Sequence, residues 1–319
     1  MALSISNSKT YELLISLLAK CPITIEIVPG DGSLWMHGNG SDDSISYTPF
    51  LFVQNHLGIP HKVLYAVYLY AVGVFKAARL SYSSCQCTEE VQGNLPSSTK
   101  RTLIASSSVL ILANPSHQTA LNVRKQFVHK QLIDPRTELS LMASLLSSQH
   151  CAKHAELWYH RRWLLSGAYE PHHTQPSTGL PIFKQLSRDA LETELALVSR
   201  ACELYPRNYF AWTHRLICMR NVLSDDPTIT SKSAELISIL RQEITEIKRW
   251  IECHISDYSA VHYVTTLARD IIQNKDLPLT KIITEEGLLA HATSLVQEYP
   301  SHEALWLYAR TAPSFGKVF

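Results

Sequence analysis

The stretch Tyr205-Pro-Arg-Asn-Tyr-Phe-Ala-Trp-Thr-His-Arg215 decides the fold, because it is the fullest of five degenerate copies of one segment. The others are Asn114-Pro-Ser-His-Gln-Thr-Ala-Leu121, His154-Ala-Glu-Leu-Trp158, Asp257-Tyr-Ser-Ala-Val261 and His302-Glu-Ala-Leu-Trp306. Marking the position four residues before the Trp slot gives 117, 154, 208, 257 and 302, so the intervals are 37, 54, 49 and 45 residues. Repeats of this length characterise helical solenoids, in which each helical pair buries its apolar face only against its neighbours.

Within a copy, an apolar helix such as Leu191 to Leu204 leads through a short turn into a second helix that begins at the marker. Asn208 and Asp257 suit the N-cap, where a side-chain oxygen accepts from an amide that the first helical turn leaves unpaired. Pro115, Pro206 and Pro300 each stand two residues before a marker, which fits a break between helices. The Trp slot falls one turn into the second helix and is expected to face the preceding one. Its tryptophans, 158, 212 and 306, read as core. Arg124, Arg161 and Arg215 read as bridges to neighbouring carbonyls or acids rather than as ligand-binding groups. Ser166 to Gly179, Ser224-Asp-Asp-Pro-Thr228 and Asn274-Lys-Asp-Leu-Pro-Leu279 read as loops that lengthen the intervals.

Outside the copies the signals are sparser. Residues 8 to 20 read as an amphipathic helix, and Ile23-Thr-Ile-Glu-Ile-Val28 alternates like a strand. From Thr48 to Leu80 the pattern reads as helical and aromatic, and Leu64, Tyr65, Val67, Tyr68, Leu69 and Val72 are expected to pack against the repeats. Val63 to Phe75, thirteen residues between Lys62 and Lys76, falls short of the ~20 that a spanning helix needs and reads as a buried helix. Residues 81 to 100 read as a linker, which gives a divergent N-terminal segment, 1–100, followed by the repeats, 101–319.

The chain has 319 residues, 45% hydrophobic, with 29 basic and 28 acidic side chains. That supports a sizeable core and supplies no global attraction to nucleic acid or to an anionic membrane. The seven cysteines show no zinc-finger spacing, and the N-terminus lacks the basic flank and apolar stretch of a secretory signal, so a reducing, cytoplasmic setting is the expectation. Cys85-Gln-Cys87 reads as an exposed loop, and His172-His173 lies among turn residues without a recognisable ligand set. Neither a Gly-rich phosphate loop nor a nucleophile elbow is present in the sequence.

Asn or a substitute, Tyr, two variable residues, Trp, two more and Arg is a pattern that resembles the protein prenyltransferase alpha-subunit repeat, over roughly residues 100 to 312. The third copy retains Asn208, Tyr209, Trp212 and Arg215; the second retains Lys153, Trp158, His160, Arg161 and Arg162. The resemblance implies an all-α crescent of antiparallel helical hairpins that wraps a separate beta subunit, here of the Rab geranylgeranyltransferase type. That partner would hold the catalytic zinc, so no metal ligand is expected in this chain. The implied reaction moves an isoprenoid, geranylgeranyl rather than farnesyl, from its diphosphate to a cysteine near the C-terminus of a protein.

By the same resemblance Lys153 is the candidate catalytic residue, reaching over the subunit boundary toward the diphosphate, where a cation helps most as charge develops on the leaving group. Tyr209 matches a tyrosine near the isoprenoid and diphosphate and is the candidate substrate-binding residue. Read from the residues alone, the two are a solvated turn lysine and a packing aromatic. Two departures stand out: Ala155 replaces a tyrosine after the second marker, and Phe210 replaces a polar residue beside Tyr209. Both remove hydrogen bonds that could reach diphosphate or peptide. The alternative reading is a noncatalytic solenoid that binds a protein or peptide on its concave surface. The family's animal Rab-enzyme alpha subunits carry immunoglobulin-like and leucine-rich domains; here Thr311 is followed by APSFGKVF, so no such extension is expected.

Overall fold

The computed structural model describes residues 6–33, 47–86, 97–167, 186–223, 230–273 and 277–313. The expected loops at 168–179 and 224–228, with His172-His173 and Cys87, lie outside the described residues. The fold is an alpha solenoid with a small sheet near its start, and it divides into two compact units, Met1–Pro181 and Ile182–Phe319.

The first unit opens with α1 (Asn7–Leu18), which buries Tyr11, Leu14, Leu17 and Leu18. Three strands come next: β1 (Thr24–Val28), β2 (Leu51–Val53) and β3 (His56–Pro60). Their order is β1-β3-β2, with β1 parallel to β3 (Thr24 opposite His56) and β2 antiparallel to it (Val53 opposite His56). The sequence reading is corrected here: the segment after Thr48 is not helical until His61, whereas the strand expected at 23–28 is present as β1. A short apolar run carries too few periods to separate strand from helix. The turn is decisive, since Gln54 and Asn55 both take positive φ, 48° and 64°, the geometry of a two-residue hairpin. Ile25 N–H donates to Ser147 Oγ at 3.1 Å, which ties the sheet to the helices after it.

The second helix, α2 (His61–Gln86), is long and apolar enough to cross a membrane by length and composition alone. It buries Leu64, Val67, Ala71, Phe75, Ala78 and Tyr82, at spacings of three and four, and packs on α1 and on α3 (Ser97–Ala113). The expectation of a wholly buried segment is corrected: Tyr65, Leu69 and Val72 face solvent. The linker expected at 81–100 also shrinks, because α2 runs to Gln86 and α3 starts at Ser97. The unit continues with α4 (Gln118–His129), α5 (Pro135–Leu146), α6 (Gln149–Ala152) and α7 (Ala155–Leu165).

The second unit contains α8 (Arg188–Leu204), α9 (Tyr209–Leu223), α10 (Thr230–Cys253), α11 (Tyr258–Gln273), α12 (Leu277–Glu286), α13 (Leu288–Glu298) and α14 (Glu303–Thr311). Here α9, α11 and α14 are the second helices of successive copies, and α11 packs on both of the others. Leu277-Pro-Leu279, read as loop, opens α12, where proline in a first helical turn removes no intrahelical bond. In both units proline marks the break: α3, α8 and α13 end at Ala113, Leu204 and Glu298, two residues before Pro115, Pro206 and Pro300.

Candidate functional site

The markers form the turns on which any site must stand. Asn208 Oδ1 accepts from Ala211 N–H at 3.1 Å, and Asp257 Oδ1 accepts from Ser259 and Ala260 N–H at 3.0 and 3.1 Å, so both cap as expected. His117 does the same through Nδ1, accepting from Ala120 N–H at 3.1 Å. Markers also reach the preceding copy. His154 Nδ1 pairs with Ser116 Oγ at 3.1 Å, His302 Nδ1 with Ser256 Oγ at 2.9 Å, and the second oxygen of Asp257 accepts from the indoles of Trp212 and Trp250. Turn is thereby bonded to turn.

A second set of contacts lies in the core. Arg124 donates to Glu138 from Nε and Nη2 and to the carbonyl of Ile104 from Nη1 at 2.9 Å. Arg215 repeats this with Glu243 and the Leu195 carbonyl, and Arg161 Nη1 meets the Leu139 carbonyl at 2.9 Å. Three glutamates, each on the first helix of a copy, also accept from the residue two after the Trp slot on the second. The pairs are His160 to Glu138 at 2.8 Å, His214 to Glu194 at 2.9 Å, and Tyr263 to Glu243. Burial raises the Glu138 pKa, but the charge of Arg124 and the bonds from His160 and Arg124 prevail and hold it at about 2. Burial pushes His160 below its ordinary value, so it is a neutral imidazole donating from Nε2. All these groups are buried, and the arginines are structural, as the sequence reading expects.

The tryptophans divide. Trp158 is 0% exposed and Trp212 is buried, but Trp306 is 52% exposed, which corrects its reading as core. Its local geometry is unchanged: Trp306 Nε1 donates to the Pro300 carbonyl at 2.8 Å, six residues back, as Trp158 Nε1 donates to Ala152. The next copy makes the difference, since Trp212 is covered by Trp250, Asp257 and Tyr263.

Lys153 is exposed and terminates the four-residue helix α6 at the turn into α7. Its ammonium makes no hydrogen bond or ion pair among the described residues. The turn beneath it is pinned on every side: Trp158 Nε1 holds the Ala152 carbonyl at 2.8 Å, His154 is bonded to Ser116, and His150 Nε2 meets the Ala113 carbonyl at 3.2 Å. Burial lowers the pKa of His150, and the charges of Lys153 and His61 lower it further; burial, His150 and Lys153 act likewise on His154. Both rings are therefore neutral near pH 7, and Lys153 supplies the positive charge at this turn. The backbone that carries this cation is anchored, so a ligand anion meets a turn that need not rearrange.

Tyr209 is the first residue of α9 and is 57% exposed, its ring edge-on to Phe210 at 5.6 Å. Its hydroxyl has no hydrogen-bond partner among the described residues, so it is not a core packing aromatic. Ser259 Oγ, bonded to the Arg207 carbonyl at 3.3 Å, steadies its turn. Lys153 belongs to the first compact unit and Tyr209 to the second. Among the described residues no group of three or more His, Cys, Asp or Glu is placed to hold a metal ion. Sequence reasoning missed the three glutamates, whose signal is a carboxylate fourteen or sixteen residues before a marker, and it missed His150, which carries no repeated pattern.

The sequence profile of the protein prenyltransferase alpha subunit repeat matches residues 135–168 and 191–222. These are the second and third copies, on which Lys153 and Tyr209 lie. Protein prenyltransferase alpha subunit repeat-containing protein 1 of Danio rerio is 28% identical, over 66% of this chain and 54% of the relative. The protein of the same name in Homo sapiens is 27% identical, over 65% and 58%. Geranylgeranyl transferase type-2 subunit alpha of Saccharomyces cerevisiae is 26% identical, over 64% and 56%. The chain spans about half the length of the curated relatives it matches. Capped helical pairs joined turn to turn, the two matched repeats and these relatives make the chain similar to the protein prenyltransferase alpha-subunit repeat family.

Proposed function

We infer that the chain is the alpha subunit of a heterodimeric protein geranylgeranyltransferase, inactive alone and working with a beta subunit of the Rab geranylgeranyltransferase type in the cytoplasm. The observation that carries this reading is Lys153, an exposed cation without a partner among the described residues, on a turn fixed by Trp158, His154 and His150. The likeness to a geranylgeranyl transferase alpha subunit supports the donor. The substrates are geranylgeranyl diphosphate and a protein with a C-terminal cysteine. Zinc, held by the beta subunit, would supply the thiolate at neutral pH.

The chain's own part is to present Lys153 to the diphosphate as its bond to the isoprenoid carbon breaks and negative charge gathers on the leaving oxygens. Tyr209, whose hydroxyl has no hydrogen-bond partner among the described residues, is a second donor. Ala155 and Phe210 offer none, so more of the donor set falls to the beta subunit than in relatives with polar residues there. The test is to co-express the full chain with a Rab-type beta subunit and assay transfer of labelled geranylgeranyl to cysteine-ended proteins. A stable complex that transfers label is expected. Failure to associate, or association without transfer to any acceptor, leaves the noncatalytic scaffold as the reading.

A further inference from the structure

Along α2, Lys62, Tyr65, Leu69, Val72, Lys76 and Leu80 recur at spacings of three and four and line one side of the helix over ~27 Å. Tyr65 is 62% and Leu69 54% exposed, and Val72 and Leu80 are also open to solvent, while the opposite side is the buried stripe that holds α2 on α1 and α3. The 26 residues contain no aspartate or glutamate, and their charged side chains, Lys62, Lys76 and Arg79, are all exposed cations. A solvated helix face ordinarily mixes both signs and few large apolar groups. This face has one sign and an apolar centre.

We propose that the solvent face of α2 is a docking surface for an anionic lipid bilayer. Its occupant must present negative charge around an apolar layer, because Lys62 stands at one end of the line and Lys76 and Arg79 toward the other, with Tyr65, Leu69 and Val72 between them. A lipid interface does this at every position: headgroups are mobile, the stems of Lys76 and Arg79 extend toward them, and tyrosine suits the interfacial depth. A protein groove would need fixed carboxylates at both ends of an apolar pocket, held at the same spacings. The buried stripe keeps α2 packed in its unit, so the helix lies along the membrane instead of crossing it. Membrane docking of this kind is independent of prenyl transfer.

The experiment is co-sedimentation of the full chain with vesicles of phosphatidylcholine alone, and of phosphatidylcholine with about one-third phosphatidylserine. Binding to the anionic vesicles, weakened by salt, is expected. The double changes Lys76→Glu with Arg79→Glu, and Tyr65→Ser with Leu69→Ser, each lower it at least about tenfold. Both involve exposed side chains, so the helical circular dichroism should be unchanged. Absence of binding to anionic vesicles, or equal binding by the wild type and both variants, overturns the proposal. Loss of beta-subunit association in those variants, with no vesicle binding by any form, makes the face a protein interface and overturns it equally.

Discussion

Two kinds of cation show how environment assigns a role to a residue type. Arg215 is buried, donates to both oxygens of Glu243 and reaches Ser199 Oγ at 3.0 Å; burial lowers its pKa, but Glu243 outweighs this and raises it. Arg215→Met should destabilise the protein by about 3–5 kcal/mol in denaturant unfolding, because it strands a buried carboxylate. Adding Glu243→Leu should restore part of that loss, and an equal or larger loss in the double variant would refute the pairing. Lys153, exposed and unpaired among the described residues, is expected to behave in the opposite way. In the complex with a beta subunit, Lys153→Ala should leave Tm and association unchanged while lowering kcat by about 10²-fold, with Lys153→Arg retaining part of the rate. Unchanged transfer would reduce it to a solvated turn lysine. The arginine slots were legible in sequence because Arg recurs at a fixed distance from the Trp slot, whereas their glutamate partners sit on helices without a repeated motif.

At the level of elements, turn chemistry was the legible part. Asn208 and Asp257 act within three residues of themselves, and the prolines end helices wherever they stand, so neither depends on distant packing. The strands after Thr48 were not legible, since ten apolar-rich residues fit both periods and only the conformation of Gln54-Asn55 separates them. Trp306 was not legible either, because the cover on a Trp slot comes from a neighbouring copy and not from its own geometry. Asp257 joins the two levels: it caps α11 and accepts from Trp212 and Trp250. Asp257→Ala should therefore cost about 2 kcal/mol, the upper end for a lost cap, while Asp257→Asn should cost less; tryptophan fluorescence should shift in the alanine variant. Identical stability in both variants would refute the dual role.

On the scale of the whole molecule, the buried carboxylates make stability depend on acid. Glu138 has its pKa lowered from 4.5 to about 2, and burial sets His160 below its ordinary 6.5. In both cases the unfolded chain binds the proton first, so stability rises with pH. The histidine contribution is complete above pH 6.5 and declines below it, and the Glu138 contribution declines from 4.5 toward 2. Thermal melts should thus show Tm falling from about pH 7 to about pH 2, and Glu138→Gln should flatten the part of that profile below 4.5; a pH-independent Tm would contradict the assignment. The fold class was readable from the repeat, and the partition into two compact units was not, as it arises from packing of the N-terminal helices on the first copies. The buried pairs carry one further consequence. Because Arg124 of the first copy is answered by Glu138 of the second, and Arg215 of the third by Glu243 of the fourth, the first and third copies are each written for a particular successor. The fourth copy has Val264 where arginine stood, and fourteen residues before the fifth marker is buried Leu288 in place of glutamate. Copies here are not interchangeable modules but words in a sentence with a reading direction, and transposing two of them would leave a charge with no reply.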